Sequence, residues 1–405
     1  MTNAIPSARR APEGTAYGRP TQHPDARLTQ VGPGTAMGEL MRRYWQPVLA
    51  SEHFTSRPRE VRILGEDLIA FRDGEGRPGL LYPRCMHRGT SLFWGHVEAD
   101  GIRCCYHGWK FDVEGNCIEQ PCEPRTDAGR PEHRQPWYPV AERYGLVWAY
   151  LGPPERMPAL PRFDCMEGMG ADERYVALDN SIGSHGDMNG PEVVPFSWLH
   201  MNDNVMDPFH VQVLHSTFSV THFVREFAVM PSVRFEEIAN GVIYRADRDL
   251  PDGRHIERVS TWMMPNVMSV PSIAMDEGHS TSLGFVVPVD DAHCRILMTM
   301  RVGPNLRAMG DGVGLGELKP WTQMTVEERQ DRPGDYEAQA GQGAISRHSE
   351  EHLVSSDKGI AMQRRMLGRA MDVVADGGDP VGVTFDDTPL HVPSGNFFGS
   401  GRRAA

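Results

Sequence analysis

Between Leu28 and Pro47 the apolar residues recur at helical spacing. Met37, Leu40, Met41 and Tyr44 fall on one side of a segment that Thr35 can cap and Pro47 stops, so the pattern predicts a helix with a core-facing stripe. From Val61 the period shortens. Val61 to Phe71 and Leu80 to Tyr82 alternate or cluster apolar residues around Asp73-Gly74-Glu75-Gly76, which predicts a hairpin. The turn Val113-Glu114-Gly115-Asn116 and a strand from Tyr144 to Tyr150 continue a small antiparallel β unit, and Leu151-Gly152-Pro153-Pro154 marks its end. Past that joint, Asp179 to Pro195 is rich in Gly, Asn and Asp and reads as a loop. Val242 to Tyr244, Ile256 to Met263, Met268 to Ile273, Ser282 to Val289 and Cys294 to Val302 read as strands of a sheet of about five. Ser349 to Asp376 returns to a helical period, with Ile360, Leu367, Met371 and Val374 on one broad face. Gly377 to Ala405 has little period and reads as a tail or a subunit wrap.

The division that follows is α+β: an N-terminal arm over 1–27, an antiparallel β domain with its leading helix over 28–154, a second domain over 155–376 and a tail over 377–405. A chain of 405 residues is long enough for each domain to bury its own core. The net charge of -13, with basic residues scattered, gives no electrostatic footprint for nucleic acid and no polybasic cluster for an anionic membrane. No window approaches the roughly eighteen apolar residues of a membrane span. Met1 to Arg27 is polar and Pro-rich and lacks the apolar core of a signal peptide, so the expectation is a cytoplasmic protein with a flexible or partner-draped arm.

Chemistry concentrates at Cys85-Met86-His87 and Cys104-Cys105-Tyr106-His107. Each short stretch offers one thiolate and one imidazole. A Rieske [2Fe-2S] centre needs that mixture, because its cysteines hold one iron and its histidines the other. A structural zinc site also takes two Cys and two His, but its usual spacing groups like with like. The following Gly108-Trp109-Lys110-Phe111-Asp112 resembles the Y-H-G-W-x-F-D run of Rieske proteins, and Cys85, His87, Cys104 and His107 are assigned as cluster ligands. Cys104 is chosen over Cys105 because it leaves two residues before His107. With seven cysteines in a reducing compartment, Cys105, Cys117, Cys122, Cys165 and Cys294 read as free buried thiols.

A second constellation is Asp203, Asp207, His210 and His215. Two histidines and one carboxylate on one face of Fe(II) leave positions for O₂ and substrate. His210 and His215 lie about 140° apart on an ideal helix, so the helix must distort or end between them if both are to meet one metal. Pro208 suits the first turn of a helix begun by Asp207, which makes a plain N-cap the competing reading of that aspartate.

Taken together, the two motifs resemble the α subunit of Rieske non-haem iron oxygenases, the aromatic ring-hydroxylating family, with its D/E-x₃-D-x₂-H-x₄-H. Val31 to Pro47, Cys85 to Leu92, Ser355-Ser356-Asp357 and Arg364-Arg365-Met366-Leu367 look like the phthalate dioxygenase branch. The resemblance implies a helix-grip catalytic domain whose mononuclear Fe(II) is held by His210, His215 and Asp357. It makes Asp207 the bridge that joins His210 of one subunit to His107 of the partner subunit in a head-to-tail trimer or higher multiple, coupling two metals that must both deliver electrons. Met86, Cys105, Ser197 and His200 depart from the branch pattern. Gly310 to Gly316 lacks the strand and helix of a dinucleotide turn, so electrons must come from a separate reductase, by resemblance an NADH-dependent flavin and iron-sulfur protein.

The implied substrates are O₂ and an aromatic acid, oxidised by ring hydroxylation or O-demethylation, as dioxygenase or monooxygenase. Trp262, Met264, Val270 and Phe285 are candidates for the walls of its pocket, and Arg225, Arg234 or Arg245 for a cation that holds the carboxylate. The alternative is an electron-transfer Rieske protein without oxygenase activity.

Overall fold

The computed structural model describes residues 16, 19–123, 133–179, 192–218, 224–273, 275–303 and 323–400. Gly310 to Gly316 and most of the loop from Asp179 to Pro195 lie outside the described residues, as do 1–15, 17–18 and 401–405 of the arm and tail. Two short helices, α1 (Ala26–Thr29) and α2 (Ala36–Arg42), open the chain. The Thr35 hydroxyl accepts the Gly38 N–H at 3.1 Å, and Met37, Leu40 and Met41 are fully buried, as their spacing predicts.

Three small antiparallel sheets follow. β1 (Gln46–Ala50) pairs with a strand from the end of the domain; β2 (Arg59–Ile63), β3 (Glu66–Arg72) and β4 (Pro78–Leu81) form the second sheet. β5 (His96–Glu98), β6 (Gly101–Arg103), β7 (Lys110–Phe111) and β8 (Cys117–Glu119) form the third, and β9 (Val140–Arg143) with β10 (Leu146–Ala149) returns to β1. The expected hairpin is β3–β4: the Asp73 carboxylate accepts the N–H groups of Glu75 (3.1 Å) and Arg77 (2.8 Å), and Gly76 takes φ +83°.

The second domain is built on a nine-stranded antiparallel sheet rather than five strands. Its members are β11 (Arg174–Leu178), β12 (Ser232–Ile238), β13 (Gly241–Asp249), β14 (Arg254–Met263), β15 (Val267–Ser269), β16 (Gly278–His279), β17 (Ser282–Asp290), β18 (His293–Val302) and β19 (Gly395–Ser400). The order is β11-β18-β17-β15-β14-β13-β12, with β19 paired to β14 and β16. β19 comes from the stretch expected as tail: Gly395 to Ser400 pairs antiparallel with Val259 to Arg254. Asn396, fully buried, fixes that strand by donating to the Ser272 and Asp276 carbonyls at 3.1 Å.

Helices cover one face of this sheet. α3 (Trp198–Val205) and α4 (Phe209–Val213) precede a π-helical turn, Leu214–Phe218; α5 (Val326–Asp331), α6 (Asp335–Ala340) and α7 (Lys358–Ala375) come late in the chain. α7 packs across β12 and β13, and Gly359 lies so close to Phe235 that a Cβ there would approach its ring to 2.5 Å. Cross-strand partners share a face, so Phe235, Tyr244, Ser260 and Trp262 all point toward the helices. The opposite face meets the N-terminal domain. There Phe285 sets its ring edge-on to Trp148 at 5.0 Å, and the N–H groups of Leu64 and Gly65 donate to Pro288 and Val289 at 2.9 Å.

Candidate metal centres

Two loops of the N-terminal domain carry the first centre, one after β4 and one after β6. Their backbones match. The Cys85 N–H donates to Thr90 (2.8 Å) and its carbonyl accepts from Gly89 (2.7 Å); Cys104 makes the same bonds to Trp109 (2.8 Å) and from Gly108 (3.1 Å). Gly89 and Gly108 both adopt positive φ, +77° and +74°, which closes each loop tightly around its cysteine. The two thiols are hydrogen-bonded neighbours; burial first, and the Cys104 thiol besides, push the Cys85 thiol up to about 12. A buried thiolate pair needs a cation to stabilise it. The His87 and His107 rings stand 4.6 Å apart, and Trp109 stacks flat on His87 at 4.6 Å. The four residues assigned from spacing therefore converge, two sulfurs together and two imidazoles together. Cys105 and Cys122 are exposed and Cys165 half-buried rather than buried, and none of the seven cysteines is in a disulfide.

Gln135, fully buried, escaped the sequence reading because nothing marks a lone glutamine. Its carbonyl accepts the Met86 N–H and its amide donates to Tyr82 and Arg84, each at 2.8 Å, so it pins the first loop from behind.

The second centre forms where α4 meets α6. His210 lies on α4 and His215 on the π-helical turn, so the distortion that their spacing demands is present. Their partner is Asp335, not Asp357. His215 Nε2 is 3.2 Å from Asp335 Oδ2, and His210 Nε2 is 3.5 Å from Oδ1. One ligand atom from each of the three lies within 4.8 Å of the others. Burial pushes the Asp335 carboxyl up, but His215, His210 and the Asn204 amide outweigh it and hold the group well below the usual carboxylate range. The Asn204 amide donates to Asp335 Oδ1 at 3.0 Å. Two imidazoles and one carboxylate fit Fe(II).

Asp357 is outside this group. Its carboxylate accepts the Val354 N–H at 2.7 Å, closing the 3₁₀ turn Ser355–Asp357 that leads into α7. Asp335 could have been suspected from its setting: Thr325 and Glu328 form a capping box at α5, and Gly334-Asp335-Tyr336-Glu337 starts the next short helix. Asp203 is engaged elsewhere. Arg364 of α7 bonds it at 2.6 Å and Glu351 at 2.6 Å, while burial lifts the Asp203 carboxyl to about 6.

Asp207 does two things. Its Oδ1 accepts the N–H groups of Phe209 (2.9 Å) and His210 (3.3 Å), the capping role of the competing reading. Its backbone carbonyl lies 2.5 Å from His210 Nδ1, and its Oδ2 is 3.7 Å from that nitrogen. With Nδ1 protonated toward Asp207, Nε2 is left unprotonated toward Asp335.

Most pocket candidates lie elsewhere. Phe285 belongs to the interface with the N-terminal domain, and Met264 lines an apolar crevice there with Trp45 and Trp148. Val270 and Arg225 are exposed. Arg234 pairs with Asp247 (3.0 Å) and Glu257 (3.3 Å), and Arg245 with Glu257 (3.5 Å), so neither is an unmet cation. Trp262 alone of the seven faces the helix-covered side, fully buried.

Two loops with a Cys and a His each, joined in one chain to a His, His, Asp group on helices, define an iron-sulfur oxygenase. The description Rieske [2Fe-2S] domain matches residues 44–139. The chain belongs to the Rieske aromatic ring-hydroxylating oxygenases, oxidoreductases whose catalytic domain uses a mononuclear non-haem iron. It is 48% identical over 402 residues to phenoxybenzoate dioxygenase subunit alpha of Ectopseudomonas oleovorans, covering 98% of this chain and 97% of that one. It is 37% identical to the tert-butanol monooxygenase / tert-amyl alcohol desaturase oxygenase subunit of Aquincola tertiaricarbonis, over 96% and 86% of the two chains. Dicamba monooxygenase bound to dicamba, a solved structure, shares the fold with a TM-score of 0.58 over 83% of this chain and 98% of that one, at 20% identity. Oxygenase subunits of such systems multimerise and work with separate reductase components. Among the described residues no helix is long and apolar enough to cross a membrane.

Proposed function

We propose that this chain is the terminal oxygenase that oxidises an aromatic acid, by ring hydroxylation or O-demethylation, at an iron held by His210, His215 and Asp335. The observation that carries the reading is this nitrogen and oxygen donor group in the same chain as the paired Cys/His loops. An electron carrier would have no use for it. An aromatic acid is favoured because the more similar of the two relatives is named for phenoxybenzoate.

When bound, the cluster on Cys85, His87, Cys104 and His107 supplies electrons and the ferrous iron activates O₂. The protein's own part is orientation. The Asp207 carbonyl fixes the His210 tautomer, the π-helical turn swings His215 to the same side, and Asn204 holds the Asp335 carboxylate. Electrons come from a separate NADH-dependent reductase, in the cytoplasm.

Copies of the chain assemble head to tail as a trimer or higher multiple, and Asp207 joins His210 to His107 of the partner subunit. Exposed apolar side chains around each centre support that contact: Met86 and Tyr106 between the cluster ligands, and Val213 and Phe218 beside His215. Asp207→Asn should keep both metals yet lower turnover at least about 10- to 100-fold; equal turnover in the purified variant rejects the bridge.

The reaction is tested with iron-loaded protein, a compatible reductase, NADH and O₂ on phenoxybenzoates, phthalates and methoxybenzoates. A diol bearing both oxygen atoms identifies ring dihydroxylation, and a phenol with formaldehyde identifies demethylation. Turnover of none of them, with both metals present, rejects the aromatic-acid reading.

A further inference from the structure

The helix-covered face of the sheet holds two buried arginines that the metal sites do not use. Arg248, on β13, is 2% exposed and Arg258, on β14, is 4% exposed. The register sets Arg248 opposite Ile256 and Arg258 opposite Ala246, so the two are diagonal neighbours on one face, about 7–8 Å apart at the backbone. Both guanidinium groups lie over the Phe227 ring, at 5.3 and 5.2 Å.

Neither has a carboxylate partner among the described residues. Arg258 donates only to neutral acceptors: the carbonyls of Pro271 (2.7 Å) and Ser272 (3.0 Å), the Asn396 side-chain oxygen (2.9 Å), and the Tyr244 hydroxyl. Arg248 donates from Nε to the Val229 carbonyl at 3.0 Å, and its buried Nη1 has no partner among the described residues. Burial pulls the Arg248 guanidinium down to about 10 and lowers Arg258 as well. Two adjacent buried cations without an anion are costly, and a fold keeps such a pair where something negative arrives to match it.

The same face continues with unmet donors. Ser260 and Trp262 follow Arg258 at alternate positions of β14; both are fully buried, and Ser260 Oγ and Trp262 Nε1 have no hydrogen-bond partner among the described residues. Arg258 to Trp262 spans about 13 Å of strand, the scale of a two-ring acid. The stripe also adjoins the iron site: Phe227 sits in the 3₁₀ turn Arg225–Ala228, which packs against α4 and the π-helical turn that carry His210 and His215.

Resting on the oxygenase reading above, we propose that Arg248 and Arg258 bind the carboxylate of the substrate, with Ser260 and Trp262 as further donors along its ring system. The role expected of Arg225, Arg234 or Arg245 passes to arginines that lack an acid of their own. Arg248 makes the direct contact through its free Nη1. Arg258 supplies the second charge.

Thermal unfolding of the metal-loaded protein with phenoxybenzoate, its neutral amide, or sodium sulfate tests this without turnover. Phenoxybenzoate is expected to raise Tm, and the amide and sulfate are not. Arg248→Met, which removes the charge and keeps the length, is expected to fold with an unligated Tm no lower than the wild type and to bind the acid roughly 100-fold more weakly. Arg248→Lys should recover part of that loss. Equal stabilisation by acid and amide overturns the anchor, as does wild-type affinity in Arg248→Met. Sulfate that occupies the site and excludes the acid overturns it in favour of a structural anion. If Arg248→Met fails to fold, the wild-type contrast of acid with amide decides. Binding of the acid without oxidation of any aromatic acid leaves the anchor standing and removes the oxygenase reading; oxidation of the amide without binding of the acid does the reverse.

Discussion

Asp335→Ala should empty the catalytic-domain site, and iron analysis of the purified variant should show the cluster iron alone, with its visible absorption intact. Asp357→Ala should leave iron content unchanged and cost about 1 kcal/mol, the worth of its bond to the Val354 N–H. The opposite pattern would return the ligand role to Asp357. His200 gives a pH prediction. It is buried, hydrogen-bonded to the Ser197 carbonyl at 3.1 Å and to Ser346 Oγ at 3.0 Å, and burial holds its imidazole down to about 4 from an ordinary 6.5. Between those values the unfolded chain takes up a proton that the folded chain refuses. Its contribution is therefore fully present above pH 6.5 and is lost as pH falls toward 4, by up to about 3 kcal/mol. Urea denaturation across this range should show a shallower acid loss in His200→Gln; an identical profile would reject the assignment. The residues that reveal themselves in sequence are those whose spacing is dictated by chemistry: Cys85, His87, Cys104 and His107 had to be close pairs because each loop is only a few residues long. Asp335 had no such tether. It reaches the histidines through a separate helix, and only the folded chain brings α6 to α4.

At the level of elements, the cluster loops depend on a turn that never touches them. Gly115 closes the turn between β7 and β8 with φ +77°, and a Cβ there would stand 2.0 Å from the Gln135 carbonyl oxygen. Gly115→Ala should therefore displace Gln135, loosen its hold on the Met86 N–H, and cost about 1–3 kcal/mol in backbone strain alone. The readout is cluster absorbance together with Tm, and an unchanged cluster would reject the coupling. Strands were legible where apolar residues gave them away, as in β14, β17 and β18, and obscure where they did not. β12 alternates exposed and half-buried residues, and β19 is Gly-Asn-Phe-Phe-Gly-Ser, a stretch with two glycines that pairs because β14 offers it an edge. The arginines were misjudged for a related reason. β13 is buried on both sides over its first residues, which hides the alternation that would have set Arg248 on the face of Tyr244 and Arg245 on the other.

Across the whole molecule, one apolar core runs from Met37 and Leu40 through Trp148 to Phe285, Trp262 and Leu367, while a smaller one, with Phe71, Ile102 and Phe111, sits behind the cluster. Unfolding either domain would expose the shared surface of the other. Loss of cluster absorbance and loss of catalytic-domain circular dichroism should then coincide on heating, within a few degrees; two separated transitions would show the domains to be independent. The Pro-rich stretch after Leu151 announces a boundary in the sequence, yet one apolar core holds residues from both sides of it. That boundary is one of sequence only.

The edge-on contact of Phe285 with Trp148, and the two strand-end hydrogen bonds from Leu64 and Gly65, make the domains a fitted pair. Recombination is constrained accordingly. A cluster domain moved into this chain from a relative would need a partner for Phe285 and the Leu64-Gly65 corner as well as its iron ligands, so a natural or engineered chimera should cross over within the catalytic sheet rather than at the proline joint.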